Sequence, residues 1–455
     1  MKTVFITIFQ GVEAKNILRT GIYRRLLAES DIRLVFFVKN RERAAYYRRE
    51  FSHPRAAYEV VDGIERSFGE RIFSFLKFHL IRTETLDLRR RMHLQEGGNA
   101  IGYAASVIFN RIFARRSVRW VVRWLDYHLV SERTFEPFFE RYRPDAVFLA
   151  HLFEDVEIAL LRTTLKRGVM NVGFINSWDK LTGRSMIRIL PKTLVVYSGQ
   201  VKAEAIELAD MRPEDIIIAG IPQYDIYYPG PTMSREAFLQ ELGFNSDERF
   251  FVYAPLGRTF SDSDWDIVDL LESWIQEKRL PPDVRMLIRF QPNDFVDERE
   301  LAKRPWLRYD YPGRRFSAER GVDWDMDEKD LEHLVNTLAH MSLLVCYASS
   351  LSVDAAIFDK PVINLGFETR PARFLSKSPV HYYRMTHYRK ALDSGGIRFV
   401  RSRDELLDWM RRYLENPGLD RAGRERLVRE QCGMLDGKAG ERIATVVLEE
   451  MRKER

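Results

Sequence analysis

The segment LLVCYASSLSVDAAIFDKPVINLG, from Leu343 to Gly366, reads as a strand, a polar turn, a helix and a second strand. An apolar run gives way to helical spacing and then to another apolar run, which is the pattern of a βαβ unit. Ser349 and Ser350 fall where the first strand ends, and free N–H groups with the positive end of a helix dipole favour an anion there. Asp354 lies one turn further on, within reach of a ribose hydroxyl. The segment alone leaves a second interpretation open, with Ser349 as an N-cap and Asp354 solvated.

Length and composition indicate a globular chain with more than one domain. The 455 residues suffice for two or three domains, because a single α/β domain rarely grows that large. Apolar residues make up 45% of the chain and charged residues 30%, which is ordinary for a globular protein in water. The net charge of +6 suits anionic substrates or lipid headgroups. It is too weak to indicate nucleic acid, which we do not expect as a partner.

Cysteine usage and the start of the chain favour a cytoplasmic protein. The two cysteines, Cys346 and Cys432, lack metal-ligand spacing and fit buried thiols in a reducing compartment. The opening MKTVFITIFQG has too short an apolar run for a secretion signal, and no uninterrupted apolar segment is long enough to span a bilayer. We therefore expect a cytoplasmic location, either free or peripheral on the inner face of the cell membrane.

Strands and helices alternate along both halves of the chain. Val4 to Phe9 and Ile32 to Val38 read as buried strands, with one helix from about Ala14 to Ser30 between them, which is the opening of a doubly wound sheet. A second series of strands begins after Tyr227 to Thr232, a Pro- and Gly-rich segment typical of a linker. The fold class is therefore α/β, with a first domain over 1–226 and a second over 233–436.

A basic helical insertion interrupts the first half over about 65–141. Its segment NRIFARRSVRWVVRW, Asn110 to Trp124, contains five arginines, no acidic residue and several large apolar residues. Two interpretations are open. An amphipathic helix of this kind can rest on an anionic membrane surface. It can equally pack on the domain with a basic outer face, its arginine stems lying along apolar neighbours.

Polar residues follow several strands of the first half. The segment from Asn176 to Thr182 follows one of them, and ligands of open α/β sheets bind outside the carboxyl ends of strands. An Asx-turn with a stacked tryptophan is the structural alternative for this segment. Three of its residues are candidates for binding an acceptor: Ser177, Trp178 and Lys180. Four candidates exist for a base that deprotonates an acceptor hydroxyl: Glu13, His151, Glu154 and Asp179.

Polar groups also follow three strands of the second half, and the carboxyl ends of parallel strands lie along one edge of a sheet. Guanidinium and hydroxyl groups at such an edge, together with helix N-termini, would hold a diphosphate without a metal ion. The candidates for this donor site are Arg258, Arg289, Gln291, Asn293, Ser349, Ser350 and Asp354.

Metal sites are the alternative chemistry that the sequence offers. Two aspartate runs have spacing suited to Mg²⁺ or Mn²⁺: Asp262 with Asp264 and Asp266, and Asp323 with Asp325 and Asp327. Neither run follows a buried strand, so no metal is expected. The segment after His151 lacks the His-Glu-x-x-His pattern of zinc enzymes. The chain also lacks a P-loop, a G-x-G-x-x-G run and a G-x-S-x-G run.

Six segments, spread from residue 176 to residue 444, resemble bacterial GT-B glycosyltransferases. The closest group is that of surface-polysaccharide transferases, which includes the CDP-glycerol glycerophosphotransferases. The matching segments are NSWDKLTGR (176–184), AGIPQYD (219–225), YAPLGR (253–258), IRFQPND (288–294), YASSLSVDAAIFDKPVINLGF (347–367) and DGKAGERIA (436–444). The resemblance implies two Rossmann-like domains facing a central cleft, an acceptor domain first and a nucleotide-donor domain second. It also implies a last helix, within 437–455, that crosses back to the first domain.

Two positions depart from that family pattern. Gln291 precedes Pro292 where relatives usually carry His-Pro, and Leu256-Gly257 stands where Thr-Trp is usual. These departures disfavour the glycerophosphotransferase activity specifically, because those enzymes depend on that histidine.

The sequence therefore predicts a metal-independent glycosyltransferase that moves a sugar from a nucleotide-sugar donor to a surface glycan or glycolipid. Asp179 or Glu13 would act on the acceptor hydroxyl, and Trp178 would offer a stacking face for a sugar. No cofactor is expected, because the nucleotide-sugar is a substrate. The alternatives are a CDP-polyol phosphotransferase of teichoic-acid type, a sugar epimerase of the related fold, and a non-catalytic module that binds glycans or membranes.

Overall fold

The computed structural model describes residues 1–131, 133–292, 294, 296–316 and 324–453. The chain forms two units. The first unit contains residues 1–87, 98–228 and 432–455, and the second contains 88–97 and 229–431. No helix in these described ranges combines the length and apolar character that a bilayer-spanning segment needs.

The first unit is built on a seven-stranded parallel sheet. Its strands are β1 (Lys2–Ile8), β2 (Ile32–Val38), β3 (Ala56–Val60), β4 (Ala146–Leu149), β5 (Met170–Phe174), β6 (Thr193–Val196) and β7 (Ile216–Ile218). The strand order is β3-β2-β1-β4-β5-β6-β7. The direction of winding reverses between β1 and β4, so the carboxyl ends of these two strands flank the topological switch point. Strand β4 is wholly apolar and buried, and β1 is buried from Thr3 to Ile8, as expected for parallel strands covered on both faces.

Helices account for most of the remaining first unit. They are α1 (Gly11–Ile17), α2 (Gly21–Ala28), α3 (Arg41–Glu50), α4 (Phe68–Leu76), α5 (Glu84–Gln95), α6 (Ala100–Phe113), α7 (Arg116–Leu129), α8 (Glu136–Tyr142), α9 (Asp155–Lys166), α10 (Lys180–Gly183) and α11 (Gly199–Ala209), with 3₁₀ turns at Pro213–Asp215 and Pro222–Tyr227. The helical nature of the 65–141 insertion is thus confirmed; within α5, residues 88–95 count with the second unit.

The prediction of one helix from Ala14 to Ser30 is wrong, because the chain breaks between α1 and α2. Thr20 is the N-cap of α2, where its Oγ1 accepts the Ile22 N–H at 3.3 Å. The same hydroxyl donates to the Asn16 carbonyl at 2.7 Å, which satisfies an acceptor at the end of α1. A capping threonine in mid-segment therefore outweighs the continuous helical spacing.

The second unit contains a six-stranded parallel sheet and a small antiparallel pair. Its strands are β8 (Arg249–Ala254), β9 (Val284–Arg289), β10 (Tyr309–Asp310), β11 (Arg314–Arg315), β12 (Trp324–Asp325), β13 (Leu344–Cys346), β14 (Val362–Leu365) and β15 (Arg398–Val400). The parallel order is β10-β9-β8-β13-β14-β15, and β11 pairs with β12. The switch point of this sheet lies between β8 and β13.

Helices of the second unit cover this sheet. They are α12 (Arg235–Glu241), α13 (Asp264–Gln276), α14 (Glu298–Ala302), α15 (Glu328–His340), α16 (Leu351–Ile357), α17 (Thr386–Asp393), α18 (Arg403–Glu415) and α19 (Arg421–Cys432), with 3₁₀ turns at Leu375–Lys377 and Pro379–Arg384. Helix α13 packs its buried face, from Ile267 through Leu271 to Trp274, into the core beneath β8 and β9. The segment from Leu343 to Gly366 forms β13, α16 and β14, the βαβ unit that its pattern predicts.

The final helix, α20 (Ala439–Lys453), belongs to the first unit. The Asp225 carboxylate accepts the N–H groups of Ala439 at 3.0 Å and Gly440 at 2.7 Å, so a residue far away in sequence caps this helix. Gly440 also lets α20 approach α2 closely, since a Cβ there would lie 2.8 Å from the Gly21 nitrogen. Two of the family-like segments, AGIPQYD and DGKAGERIA, thus have a structural role in anchoring α20.

Candidate active site

A cluster of four buried polar side chains lies at the switch point of the first sheet. It consists of Glu13, His151, Glu157 and Lys180, and we call it the buried cluster. Glu13 follows β1, His151 follows β4, Glu157 lies in the first turn of α9, and Lys180 begins α10. Each of the four is at least 95% inaccessible to solvent. Glu13, His151 and Lys180 are among the candidates predicted from the sequence, because they follow strands.

Glu13 is held by the turn that joins β1 to α1. Its Oε2 accepts the N–H groups of Phe9 at 2.6 Å and Gln10 at 3.2 Å, while its Oε1 has no hydrogen-bond partner among the described residues. Burial raises the pKa of Glu13 to about 7, against the opposing effects of these N–H groups and the Lys180 charge. A carboxyl group with this pKa exchanges its proton near neutral pH, as a general base requires.

His151 and Lys180 form a hydrogen-bonded pair. The His151 Nε2 lies 3.0 Å from the Lys180 Nζ, and the His151 Nδ1 accepts the Phe153 N–H at 3.3 Å. Burial and the nearby Lys180 charge lower the pKa of His151 well below its usual value, so the ring is neutral at pH 7. Burial also lowers the pKa of Lys180, against the attraction of Asp179 and Glu13. The pair is therefore a buried contact between a neutral imidazole and a lysine whose charged form burial disfavours.

Glu157 is the member of the buried cluster for which the sequence predicted no catalytic or binding role, only a disfavoured zinc site with His151 and Glu154. It is fully buried, and neither of its carboxylate oxygens has a hydrogen-bond partner among the described residues. Burial, reinforced by the charges of Glu13 and Glu154, raises its pKa well above the usual value. The sequence signal that could have identified Glu157 is its helical spacing: it lies four positions before the buried Leu161, on the inward face of α9.

The ligand-type atoms of Glu13, His151 and Glu157 lie within 4.8 Å of one another. This set resembles a zinc site in its donors, but Lys180 already contacts the imidazole nitrogen Nε2. The lysine side chain thus competes with any metal ion for that nitrogen.

The other candidates of the first unit are sequence neighbours of His151 and Lys180, and they are more exposed than the buried cluster. The Ser177 hydroxyl donates to the Asp179 Oδ1 at 2.6 Å, and both residues are half-buried, as is Trp178. Glu154 is exposed over 44% of its side chain and lies 3.9 Å from the Arg184 guanidinium. Asn176 is buried, and its amide has no partner among the described residues.

A pocket of about 420 Å³ lies at the carboxyl ends of β8 and β9 in the second unit. Arg258 and Gln291 line it, together with Asp264, Trp265 and Arg370. None of the hydrogen bonds or ion pairs within the described residues engages the Arg258 guanidinium. Five carboxylates also line the pocket, so Arg258 supplies a local positive group that an anionic ligand can contact, within a lining that is not positive as a whole.

The loop that carries Arg258 is fixed by two side chains. The Asp264 carboxylate accepts the N–H groups of Leu256 at 3.3 Å and Gly257 at 2.8 Å, and the Gln291 amide donates to the Leu256 carbonyl at 2.8 Å. Gly257 has a φ of +92°, and a Cβ there would lie 1.7 Å from the Asp294 Oδ2. Glycine is thus required where the family pattern has a tryptophan, and the Gln291 amide braces the loop.

The remaining donor-site candidates do not line this pocket. Arg289 is buried and lies 3.2 Å from the Asp310 carboxylate on the neighbouring strand β10. Ser349 donates its N–H to the Tyr388 hydroxyl at 3.1 Å and accepts the Leu351 N–H at 3.2 Å, while Ser350 is exposed. Asp354 is nearly buried in α16. The structure thus brings Arg258 and Gln291 together, and the larger clamp stays a prediction.

The aspartate runs have separate protein partners. Asp262 lies 3.2 Å from the Lys377 ammonium, Asp264 holds the loop described above, and Asp266 accepts from Arg370 at 2.7 Å. Asp327 caps α15 by accepting the Asp330 N–H at 2.9 Å, and Asp325 lies in β12. Asp323 and Asn293 lie outside the described residues.

Neither a scan against protein-family models nor a search of curated proteins found a match to this chain. Solved structures do match along the whole chain. One is an inferred UDP-N-acetylglucosamine 2-epimerase from Listeria monocytogenes, at 12% identity and a TM-score of 0.57 over 100% of this chain and 98% of that one. Another is the UDP-GlcNAc 2-epimerase of Neisseria meningitidis bound to UDP-GlcNAc, at 10% identity and a TM-score of 0.54 over 99% and 100%.

A third match is the wall teichoic acid polymerase TagF soaked with CDPG, at 12% identity and a TM-score of 0.51 over 100% of this chain and 89% of that one. At such low identities the likeness concerns the fold. The fold is GT-B, with a parallel-sheet α/β unit on each side of the linker, which confirms the fold class predicted from the sequence.

Proposed function

We propose that this protein is a metal-independent glycosyltransferase that moves a sugar from a nucleotide-sugar donor to a surface glycan or glycolipid acceptor. The observation that carries the proposal is Glu13, a fully buried carboxyl group with a pKa of about 7 at the switch point of the first sheet. The structures of similar fold that contain UDP-GlcNAc or CDPG support an activated nucleotide donor.

In the proposed reaction, Glu13 takes the proton of the acceptor hydroxyl. The acceptor oxygen forms a bond to the anomeric carbon, the bond from that carbon to the phosphate oxygen breaks, and a nucleoside diphosphate leaves. Lys180 keeps Glu13 able to ionise, because its positive charge opposes the effect of burial on the Glu13 pKa. Ser177 and Asp179 orient the acceptor, and Trp178 provides a flat face for its sugar rings.

The second unit's pocket is the proposed donor site. The Arg258 guanidinium neutralises charge on the diphosphate, which grows on the leaving group as the glycosidic bond breaks. Gln291 keeps Arg258 in place through the loop at Leu256. Arg289, Ser349, Ser350 and Asp354 do not line this pocket, and their roles toward the diphosphate and the ribose stay predictions from the sequence.

Thermal shift and product analysis test the proposal together. We expect a rise in melting temperature with one of UDP, GDP, CDP or CMP, since a ligand that binds the native state stabilises it. Incubation with the matching nucleotide-sugar should then release a nucleoside diphosphate, and activity should survive EDTA. Loss of activity that Mg²⁺ restores would contradict the metal-independent mechanism.

The products also separate the alternatives. Release of a nucleoside monophosphate from a CDP-polyol would indicate a polyol-phosphate transferase. A change of sugar configuration without an acceptor would indicate an epimerase. Nucleotide binding with no turnover of any donor would indicate a non-catalytic module.

A further inference from the structure

Most of the large apolar side chains that are exposed in the described residues lie within one part of the first unit. They come from α4, α6, α7 and the chain adjoining them: Phe68, Ile72, Phe75, Phe78, Ile101, Ile108, Ile112, Phe113, Trp120, Val121, Trp124 and Leu129. We call this set the apolar face. Contiguous apolar surface on a protein in water marks a place where another apolar body binds.

Helix α7 directs arginine side chains toward the domain and large apolar side chains toward solvent. Its Arg119 and Arg123 point inward, where both guanidinium groups bind Asp210 at 2.6 Å. Trp120 and Trp124 on the same helix are 67% and 53% exposed. The sequence-based interpretation of a basic outer face on this helix is therefore wrong, because two of its three arginines are used in internal ion pairs.

Helix α4 has the same inverted arrangement. Its Glu70 is buried and makes ion pairs with Arg188 and with Arg162. Phe68 and Phe75 are 76% and 64% exposed on the opposite side. In an ordinary surface helix the apolar stripe faces the core and the charges face water.

Helix α6 is the most apolar of the three and the least covered. Its single buried residue is Asn110, whose amide donates to the carbonyls of His79 at 2.7 Å and Ile81 at 2.8 Å. No charged residue occurs from Ala100 to Asn110, and Ile101 is 84% exposed. Asn110 and the partly buried Phe109 attach this helix to its own domain, and the remaining apolar surface is left for a different neighbour.

Charge around the apolar face identifies that neighbour as anionic. Arg111, Arg115 and Arg116 are exposed beside it; Arg111 is partly offset by Asp87 at 3.2 Å, and Arg116 lies 3.8 Å from Asp210. Asp126 is the one acidic residue in 98–131, and it is buried against Arg162 and Arg188. Exposed arginines with tryptophans and aliphatic side chains are the composition of surfaces that lie in the interface of an anionic bilayer.

We propose that α4, α6 and α7 form a docking surface that rests on an anionic lipid bilayer, with the apolar face at the boundary between headgroups and acyl chains. Helix α6 has 14 residues, about 21 Å, so it is too short to span a bilayer and lies in the interface. A lipid-linked acceptor would explain why such a surface exists, and in that respect this inference rests on the proposed function. The binding itself requires neither donor nor turnover.

Sedimentation of the full-length protein with vesicles tests the docking surface. We expect binding to phosphatidylcholine vesicles that contain phosphatidylglycerol, weaker binding to pure phosphatidylcholine, and further weakening in high salt. The double variant I101S/I108S should lower binding about tenfold, because two exposed isoleucines no longer enter the acyl boundary. The double variant R115Q/R116Q should remove most of the preference for anionic vesicles. W306Q, at an exposed tryptophan of the second unit, is the matched control and should bind as the parent does.

Several results would overturn this inference. Absence of vesicle binding by the parent protein would do so, and so would equal binding by the parent and I101S/I108S. A dimer in light scattering that I101S/I108S abolishes, without vesicle binding, would assign the apolar face to a second copy of the chain. Because the changed residues are exposed, their melting temperatures should match that of the parent. Release of nucleoside diphosphate from a soluble donor, measured separately, tests the proposed function and not the docking surface.

Discussion

At the carboxyl edge of the first sheet, the polar side chains of the buried cluster are shut away from water, whereas at the same edge of the second sheet Arg258 lines a pocket. Both edges lie beside a topological switch point, so the fold alone places a site at each. Burial makes the difference. Desolvation brings the pKa of Glu13 to about 7, while the guanidinium at the second edge remains available to an anion. One topology therefore offers a candidate site for proton transfer and a candidate site for an anion.

The largest expected effect is that of Glu13→Gln on turnover. The amide can still accept the N–H groups of Phe9 and Gln10 but cannot take a proton. The rate of nucleoside diphosphate release should fall by at least about 10²-fold, the usual contribution of a general base. The nucleotide-induced thermal shift should be unchanged. Glu154→Gln, at the largely exposed neighbour of the cluster, is the control and should have little effect.

Arg258→Ala should weaken nucleotide binding and leave proton transfer by Glu13 unchanged. Removing a guanidinium that meets a diphosphate should weaken nucleoside diphosphate affinity by about tenfold or more, measured by calorimetry. Arg370→Ala is the matched control in the same pocket. Its guanidinium is already bound to Asp266, so its loss should matter less. Equal losses in the two variants would show that the pocket does not rely on Arg258.

Gly257→Ala should disturb the loop that carries Arg258 in the second unit and leave the buried cluster of the first unit unchanged. The added Cβ would meet the Asp294 carboxylate, and the residue would have to keep a φ of +92°. We expect a loss of stability greater than about 1 kcal/mol, together with weaker nucleotide binding. Gly199→Ala, where a Cβ meets nothing within 4 Å, should leave the melting temperature unchanged or slightly higher. A Gly257→Ala protein that melts and binds like the parent would refute this account of the loop.

The smallest effect concerns stability against pH. Between pH 4.5 and about 7, folded Glu13 keeps a proton that the unfolded chain has released. The free energy of unfolding should therefore receive a contribution from Glu13 that is complete below pH 4.5 and is lost as the pH rises through about 7. Denaturant titrations of the parent and Glu13→Gln should show a flatter pH dependence in the variant. Parallel curves would indicate an ordinary Glu13 pKa.

Local pattern was enough to predict the alternating strands and helices and the strand ends at Glu13, His151 and Arg258. Features that depend on distant partners could not be predicted. Arg289 pairs with Asp310 on a two-residue strand that carries little apolar signal. Arg119 turns inward because Asp210, 91 residues away, caps α11 in a left-handed conformation beside it. Charge counted along the chain therefore placed arginines outside that the fold buries.

The pH dependence of kcat/KM for nucleoside diphosphate release, compared between the parent protein and Glu13→Gln, tests the central claim most directly. If Glu13 is the base, the parent rate rises with pH and levels off above an apparent pKa of about 7, the value that burial gives this carboxyl group. The residual rate of Glu13→Gln should lack that rise. A parent profile that is flat from pH 5 to pH 8, or a variant that keeps the rise, would contradict the assignment of proton transfer to the first sheet.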